Sequence, residues 1–247
     1  MLEPCVNQAA GLQSLALQQV PRLIAMTSHG QQLGEMPLLW GLCTSWVSMH
    51  LSVMVLDGHT TETPHNPGLA QLLTNPLIRQ FEDDNPMSWS VMPAAQGLAD
   101  LSAKGFLASS IGELFKAYAV LLVYADADRL TQILKGCSLA PLLVVPPAQT
   151  AAISAYRALK HLLVVGQLRP TVANIVPDSQ TMMPTPPSTP AKNMMDCASN
   201  YLGYSVKPLT ITASARADRS QDDMTRLAMQ LLESAVPLER KPIERVH

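Results

Sequence analysis

The thiols, imidazoles and carboxylates of this 247-residue chain are the groups best suited to hold a metal ion or to act as nucleophiles. His59 and His65 share a segment with Asp57 and Glu62, and these four side chains could be written as a metal site. Their spacing matches no ligand motif and the segment is predicted to be a polar loop, so no metal site is expected. The cysteines form no C-x-x-C pair and are predicted to be buried free thiols: Cys5, Cys43, Cys137 and Cys197.

A polar loop, residues 28–35 (SHGQQLGE), lies between an apolar run at 22–27 and a predicted helix. The helix is expected to open at Met36-Pro37, because proline fits the first turn of a helix. A loop that leads from a buried strand into a helix N-terminus offers backbone N–H groups to an anion. Residues 51–57 read as a second strand, which makes the first 57 residues one βαβ unit.

The alternation of apolar runs and amphipathic segments continues along the chain. Further strands are predicted at 89–93, 118–124, 141–146, 170–176 and 206–212. Helices are predicted at 68–81, 97–117, 127–137, 148–163, 193–201 and 221–235. Near-continuous Val, Ile and Leu runs are typical of strands covered on both faces. The predicted fold class is therefore α/β, a doubly wound and mostly parallel sheet with helices on both faces.

The positions of prolines and of polar segments predict the domain organisation. Residues 1–20 are predicted to form an N-terminal helix, since Pro21 ends it, and residues 21–236 form the domain. Within the domain, residues 177–192 contain five prolines and are predicted to be a surface loop. Residues 237–247 are predicted to be a polar tail. The last helix is predicted to pack on the core through an apolar stripe of Met224, Leu227, Ala228, Leu231 and Leu232.

Composition narrows the function classes. The formal net charge of −2 argues against an electrostatic grip on nucleic acid. No uninterrupted apolar run approaches the about 18 residues that a membrane-spanning helix needs, so no stable membrane insertion is expected. The first residues lack the basic and apolar regions of a secretory signal, which makes the cytoplasm the expected location.

Several short motifs occur in order along the chain. Residues 29–36 read HGQQLGEM, residues 91–97 read VMPAAQG, residues 145–160 read VPPAQTAAISAYRALK, and residues 200–203 read NYLG. Over residues 5 to about 235 this order resembles the MinD-like ATPases of the P-loop class. The resemblance is closest to the regulators of flagellar number and placement, the FlhG/FleN type, and it implies the P-loop NTPase fold.

The resemblance also shows which residues of the phosphate loop are replaced. The family's loop reads G-K-G-G-V-G-K-[ST], and here Glu35 stands at the lysine and Met36 at the hydroxyl that binds Mg²⁺. Gly30 stands at the extra lysine, and Gly34 is kept. A triphosphate carries about four negative charges, so Glu35 is expected to repel it. The resemblance implies a vestigial loop without catalytic residues, and no cofactor is expected, although ATP or ADP binding stays open.

Other nucleotide-handling positions of the family are altered as well. Asp57 matches the first aspartate of its D-x-D segment and His59 replaces the second. Tyr124 stands at the switch aspartate, and Asp126 and Asp128 nearby are predicted to be a surface acidic loop. Asn174 matches the asparagine that reads the nucleotide base, and Gly68-Leu69-Ala70 resembles a G-L-A of the flagellar members.

The N-terminal segment carries the implied partner site. Asn7, Gln8, Ala9, Gly11 and Leu12 resemble the D-Q-A-x-x-L-R pattern with which flagellar members contact a GTPase of the signal-recognition type. The alternative is a glutamine-rich helix that packs on the domain. Such a GTPase or an intact paralogue is the expected partner, and the missing extra lysine implies that no ATP-bridged sandwich dimer forms.

Three functions remain open at the level of sequence. The favoured hypothesis is a non-hydrolysing regulator that binds proteins and controls flagellar assembly or number. The second is a MinD-type protein that binds ATP or ADP and positions another cell-surface machine, such as cellulose synthase or pili. The third is a true ATPase that uses substitute residues.

Overall fold

The apolar runs of the sequence form the strands of one sheet. In the computed structural model these strands are β1 (Arg22–Ser28), β2 (Val53–Asp57), β3 (Trp89–Pro93), β4 (Val120–Asp126), β5 (Leu142–Val145), β6 (Thr171–Pro177), β7 (Leu209–Ala213) and β8 (Val236–Pro237). The structure describes residues 20–29, 32–75, 89–104, 108–148, 150–177, 190–205, 207–213 and 217–238. The predicted partner-binding residues of the N-terminal segment lie outside the described residues, as does Gly30.

Seven strands of this sheet run parallel in the order β3-β2-β4-β1-β5-β6-β7, and β8 pairs with β1 in the antiparallel direction. The predicted doubly wound, mostly parallel sheet is thus confirmed. Strands β1 and β4 at its centre are almost entirely buried, as strands covered on both faces must be.

Helices cover both faces of the sheet. The described helices are α1 (Gln32–Ser48), α2 (Leu69–Thr74), α3 (Ala95–Lys104), α4 (Ala108–Leu114), α5 (Ala127–Ile133), α6 (Ala151–Val164), α7 (Pro190–Leu202) and α8 (Ala217–Ser234). Helices α1 and α8 pack on one face, and α2 to α7 pack on the other. The predicted apolar stripe of the last helix does pack on the core, since Leu227 and Ala228 are fully buried there.

Helices α1 and α8 also contact each other directly. The indole Nε1–H of Trp46 donates a 3.1 Å hydrogen bond to the carbonyl oxygen of Ala228. A β-carbon at Gly41 would lie 2.7 Å from the terminal methyl of Met224, so the glycine lets the two helices approach closely. This packing fixes α1, the helix that follows the phosphate-type loop.

Several predicted boundaries differ from the structure, and three of the differences are described below. Helix α1 begins at Gln32 and not at Met36, so Pro37 lies within the helix. Its first turn is held by Glu35, whose side chain accepts a hydrogen bond from the backbone N–H of His29. Helix α7 begins at Pro190, inside the predicted loop 177–192, since proline is accepted in a first turn; residues 178–189 lie outside the described residues. The fold continues past the predicted boundary at residue 236.

That continuation is strand β8 and the residue after it. Val236 and Pro237 pair with Leu23 and Arg22 of β1, and the backbone N–H of Leu238 donates to the carbonyl oxygen of Pro21. Leu238 is fully buried, so an apolar side chain anchors the start of the segment predicted as a polar tail. Residues 239–247 lie outside the described residues.

A bilayer demands long and apolar helices, and none of the described helices is long and apolar enough to cross a membrane.

Candidate functional site

The carboxyl ends of β1 and β4 form the point where the sheet can receive a ligand. These two strands are neighbours, yet β1 leads into α1 on one face and β4 leads into α5 on the other. Divergent connections of this kind open a crevice at the carboxyl ends of a parallel sheet. Ser28, His29 and Tyr124 lie at that crevice, together with Glu35 from the first turn of α1.

Glu35 does not face solvent, although the sequence suggested a carboxylate displayed to a phosphate. Its side chain is 0% exposed. Oε1 accepts a 3.0 Å hydrogen bond from the backbone N–H of His29, and Oε2 accepts a 2.7 Å bond from the Tyr124 hydroxyl. The charge also lies in the first turn of a helix, where the helix dipole favours an anion. An amide of the loop is therefore already used by the chain's own carboxylate.

His29 links Glu35 to the neighbouring strand and helix. Its Nε2 lies 2.6 Å from the carbonyl oxygen of Val144 and 3.3 Å from Oε1 of Glu35. Because a carbonyl oxygen only accepts, Nε2 carries a proton and donates it to Val144, while Oε1 of Glu35 lies within ion-pair distance of the same nitrogen. On the other side of the ring, Nδ1 lies 3.2 Å from Oγ of Ser154 in α6. The imidazole is 1% exposed, so the whole network is internal.

Tyr124 closes the other side of Glu35. Burial raises the pKa of its hydroxyl far above the usual range, and the hydrogen bond and negative charge of Glu35 raise it further, while a hydrogen bond with Ser28 opposes the shift. The ring also contacts the imidazole of His59 edge-on, with centroids 5.1 Å apart. A neutral phenol thus occupies the position where the family resemblance places a switch aspartate.

Asp57 lies beside this network but is engaged in its own turn. Its two oxygens accept from the backbone N–H of His59 at 3.0 Å and from the Thr60 hydroxyl at 2.6 Å. The next residue, Gly58, donates its N–H to the carbonyl oxygen of Tyr124. Asp57 therefore shapes the start of residues 58–68, which we call the Glu62 loop.

Glu62 holds this loop against two helices. Oε1 accepts from the backbone N–H groups of Ala70 at 3.2 Å and Gly97 at 2.8 Å, and Oε2 accepts from Gln96 at 2.8 Å. The carboxylate thereby satisfies free amides at the start of both α2 and α3. This engagement leaves it with a structural role, and no group of three potential ligand residues occurs among the described parts of the chain.

Gly68-Leu69-Ala70 contacts residues 93–97 (PAAQG), the end of the VMPAAQG motif. A β-carbon at Gly68 would run into the carbonyl oxygen of Pro93, and one at Gly97 would lie 2.6 Å from Cβ of Leu69. Each motif supplies the glycine that lets the other approach. Their joint presence in the sequence is explained by packing beside the crevice.

Asp126 and Asp128 also have structural partners. Asp126 caps α5, since its Oδ1 accepts from the backbone N–H of Arg129 at 2.7 Å. Asp128 lies 2.9 Å from Nε2 of His161, which joins the start of α5 to α6. The predicted acidic segment is therefore a helix cap followed by an exposed ion pair.

Asn174 lies in the middle of β6, where it pairs with Val145 at the end of β5, and is 7% exposed. Its Oδ1 and the Thr27 Oγ1 of β1 are buried without a hydrogen-bond partner among the described residues. Unsatisfied buried polar atoms are rare, so Asn174 retains an acceptor that a ligand or a water molecule could use. The structure does not bring Asn174 into contact with Asp57, and Gly34 lies in the first turn of α1.

The described cysteines differ in exposure. Cys43 is buried in α1, Cys137 is half-buried, and Cys197 of α7 is exposed; all three are free thiols. The predicted burial therefore holds for Cys43 and is wrong for Cys197, which lies on the polar side of an amphipathic helix. Burial raises the pKa of the Cys43 thiol to about 12, which makes it unreactive at neutral pH.

The partners of Glu35 could not be read from the sequence. One signal was available: Glu35 is the only charged residue in α1, and a lone charge in an apolar helix must either be exposed or find an internal partner. The partners themselves are His29, which directly follows β1, and Tyr124 of β4. Together, His29 and Tyr124 bind the carboxylate of Glu35. These three residues provide no cation for a phosphate and no free carboxylate for Mg²⁺.

No family model matches the sequence, and no curated protein matches it. Solved structures do. A chain of the MinC:MinD cell division protein complex from Aquifex aeolicus is 13% identical, with 88% of this chain and 98% of that chain covered and a TM-score of 0.55. A cobyrinic acid a,c-diamide synthase from Mycobacterium smegmatis with bound ATP analogue and magnesium is 11% identical, with 87% and 95% covered and a TM-score of 0.54.

A third structure, a ParA family ATPase from Chlorobium tepidum TLS, is 12% identical, with 87% and 96% covered and a TM-score of 0.51. At sequence identities this low, the similarity to these solved structures concerns the fold alone. The chain has the fold of the P-loop ATPases of the MinD and ParA type, as the sheet order and flanking helices also indicate. Fold alone does not assign an activity, so function has to be argued from the site.

Proposed function

We propose that this chain is a non-hydrolysing, MinD-like regulatory protein that works in the cytoplasm by binding protein partners, in control of flagellar assembly or number. The observation that carries the proposal is the fully buried carboxylate of Glu35 at the start of α1. ATPases of this fold place a cation there, according to the resemblance. A buried carboxylate that already holds a loop amide opposes the binding of a triphosphate.

The loss of catalytic groups around Glu35 supports the same proposal. Tyr124, a neutral phenol, stands where the resemblance expects an aspartate, and Asp57 is committed to its own turn. Hydrolysis needs Mg²⁺ and a cation at the transferred phosphoryl group. The described residues at the crevice supply neither, while the scaffold that surrounds them is kept.

Partner binding is supported by the fold and by the N-terminal residues. One structural neighbour is a chain of a MinC:MinD complex, so the same fold serves protein association there. Flagellar control rests on the resemblance of residues 7–12 and of Gly68-Leu69-Ala70, which packs beside the crevice. We infer that the partner is an SRP-type flagellar GTPase or an intact paralogue.

Nucleotide binding tests the first half of the proposal. Thermal unfolding is followed with ATP or ADP, with and without Mg²⁺; a ligand at 100 times its Kd stabilises a protein by about 2.7 kcal/mol. We expect no shift at millimolar nucleotide and no phosphate release. Release above that of a buffer blank would refute the non-hydrolysing function, and ATP-dependent dimerisation in sedimentation would refute the absence of a sandwich dimer.

Partner binding tests the second half. The purified flagellar GTPase of the same organism is titrated with the full chain and with a Gln8→Ala/Leu12→Ala variant. We expect binding that the double substitution weakens about tenfold, which equals about 1.4 kcal/mol. A Gln18→Ala variant is the control, since residue 18 lies outside the motif. Equal binding of all three chains would remove the N-terminal segment from the interface.

A second function, ATP or ADP binding without hydrolysis, is favoured by one observation. Asn174 keeps a buried acceptor without a partner among the described residues. The resemblance implies that this asparagine recognises the nucleotide base. A neighbour of this fold is solved with an ATP analogue and magnesium. A Mg²⁺-independent thermal shift with ADP that an Asn174→Ala variant loses would favour this function over the first.

A further inference from the structure

The donors around Glu35 form a small set that faces one carboxylate. We call them the Glu35 site: the backbone N–H and Nε2–H of His29 and the hydroxyl of Tyr124. Both oxygens of Glu35 accept hydrogen bonds, Oε1 from the backbone N–H of His29 at 3.0 Å and Oε2 from Tyr124 at 2.7 Å, and Nε2 of His29 lies 3.3 Å from Oε1. Charge-assisted bonds of this kind are about twice as strong as neutral ones.

We propose that the Glu35 site is an anion-binding site whose ligand is the chain's own carboxylate, and that it accepts a free carboxylate anion once the Glu35 side chain is shortened. The inference deepens the proposed function and rests on it, because a site filled in cis is a loop closed to phosphate. The tethered carboxylate keeps the donors of His29 and Tyr124 permanently occupied by an anion.

The number and placement of the donors select a carboxylate. Two donors bind the two oxygens of Glu35, one donor to each oxygen, while the third, Nε2–H of His29, lies 3.3 Å from Oε1 and is hydrogen-bonded to the carbonyl oxygen of Val144 at 2.6 Å. A phosphate dianion would bring further oxygens beyond the two that the described donors bind. Buried anionic oxygens without donors are strongly disfavoured. The site is thus matched to a planar group with two oxygens.

The site is also held from outside by groups that do not touch Glu35. Ser28 bonds the Tyr124 hydroxyl, and Ser154 bonds the far side of the His29 ring. These contacts keep both donors oriented when the carboxylate is absent. A preorganised site of this kind keeps most of its affinity for a small ligand of the right shape.

Chemical rescue tests the inference. Replacing Glu35 by alanine removes one methylene and the carboxylate at its end, which together correspond to acetate. Thermal unfolding of Glu35→Ala is followed while sodium acetate replaces sodium chloride at constant ionic strength. We expect a saturable rise of the unfolding midpoint, about 4 °C at ten times the Kd. The wild-type chain and Glu35→Gln are controls, because their side chains still fill the site, and neither should respond.

A rise that chloride reproduces, a rise of equal size in Glu35→Gln, or no rise in Glu35→Ala would overturn the inference. If Glu35→Ala fails to fold, a double-mutant cycle of Tyr124→Phe and Glu35→Gln takes its place. Coupled effects are expected, and additive effects would overturn the inference. The proposed function fails on a different result, phosphate release or nucleotide binding by the wild-type chain, so the two can be rejected separately.

Discussion

The hydroxyl of Tyr124 donates a 2.7 Å hydrogen bond to Glu35 across 89 positions of sequence, from the end of β4 to the first turn of α1. Because the acceptor is a buried carboxylate, the Tyr124→Phe substitution should lower the free energy of unfolding by about 1.5–3 kcal/mol. Urea unfolding measures this loss. Tyr201→Phe is the control, since Tyr201 is 78% exposed and should stay within about 0.5 kcal/mol of wild type; equal losses would contradict the contact.

Alkaline pH should weaken the fold through the same tyrosine. Burial and the nearby negative charges raise the pKa of Tyr124 above its unfolded value of about 10. A group with a raised folded pKa stabilises the protein below its unfolded pKa, and this contribution is lost as the pH rises beyond about 10. Cys43, with a pKa of about 12, adds to the trend.

The Tyr124→Phe variant separates the two groups. Because Cys43 is present in both chains, its contribution cancels when the variant is compared with wild type. The stability difference between them should shrink as the pH is raised from 9 to 11, measured by urea unfolding at each pH. A difference that stays constant over this range would show that Tyr124 ionises normally in the folded chain.

Glu62 should be essential to the region beside the crevice. A Glu62→Ala substitution leaves the N–H groups of Ala70, Gln96 and Gly97 without their acceptor, which should cost about 3 kcal/mol. Urea unfolding gives the value, and hydrogen exchange should show faster exchange of these three amides. The exposed Glu233 provides a control, since Glu233→Ala removes a carboxylate of the same type without such partners. Unchanged exchange at the three amides would speak against the role assigned to Glu62.

Gly68 and Gly41 are both crowded by neighbouring atoms, but substitution by alanine should affect the stability of the protein differently at the two positions. At Gly68 a β-carbon meets the backbone oxygen of Pro93, which cannot move without shifting β3, so Gly68→Ala should lose about 3 kcal/mol. At Gly41 the obstacle is the flexible end of Met224, and alanine improves helix propensity by up to about 1 kcal/mol. Gly41→Ala should therefore remain near wild type. Thermal unfolding of both variants decides, and the reverse order would contradict the described packing.

The fold could be predicted from the sequence because the strands are apolar on both faces. The run YAVLLVY predicted β4, and WSVMP predicted β3 with its exact residues, since such runs leave few other structures open. Helix starts were less readable. The start of α1 depends on the contact of Glu35 with His29 and Tyr124, which no local pattern encodes.

The candidate site was predictable only in its position. The loop after β1 and the end of β4 were identified, but Glu35 was expected to face a phosphate and is instead buried. Whether a carboxylate points outward or inward depends on partners from other strands. Asp57 and Glu62 show the same limit, since their pairing with backbone amides depends on how the Glu62 loop folds. Sequence spacing alone could not distinguish capping from metal binding.

Strands β8 and β1 are far apart in the sequence but adjacent in the sheet, which affects how the chain folds. Arg22 of β1 donates a hydrogen bond to the carbonyl oxygen of Leu232, 210 positions away, and β8 pairs beside it. Closing a loop of that length carries a large entropic cost, and contacts so distant in sequence slow folding. During synthesis β1 emerges before its partner strands β4, β5 and β8, so its apolar backbone stays unpaired until those strands follow. An unpaired apolar strand of this kind makes the nascent protein prone to aggregation.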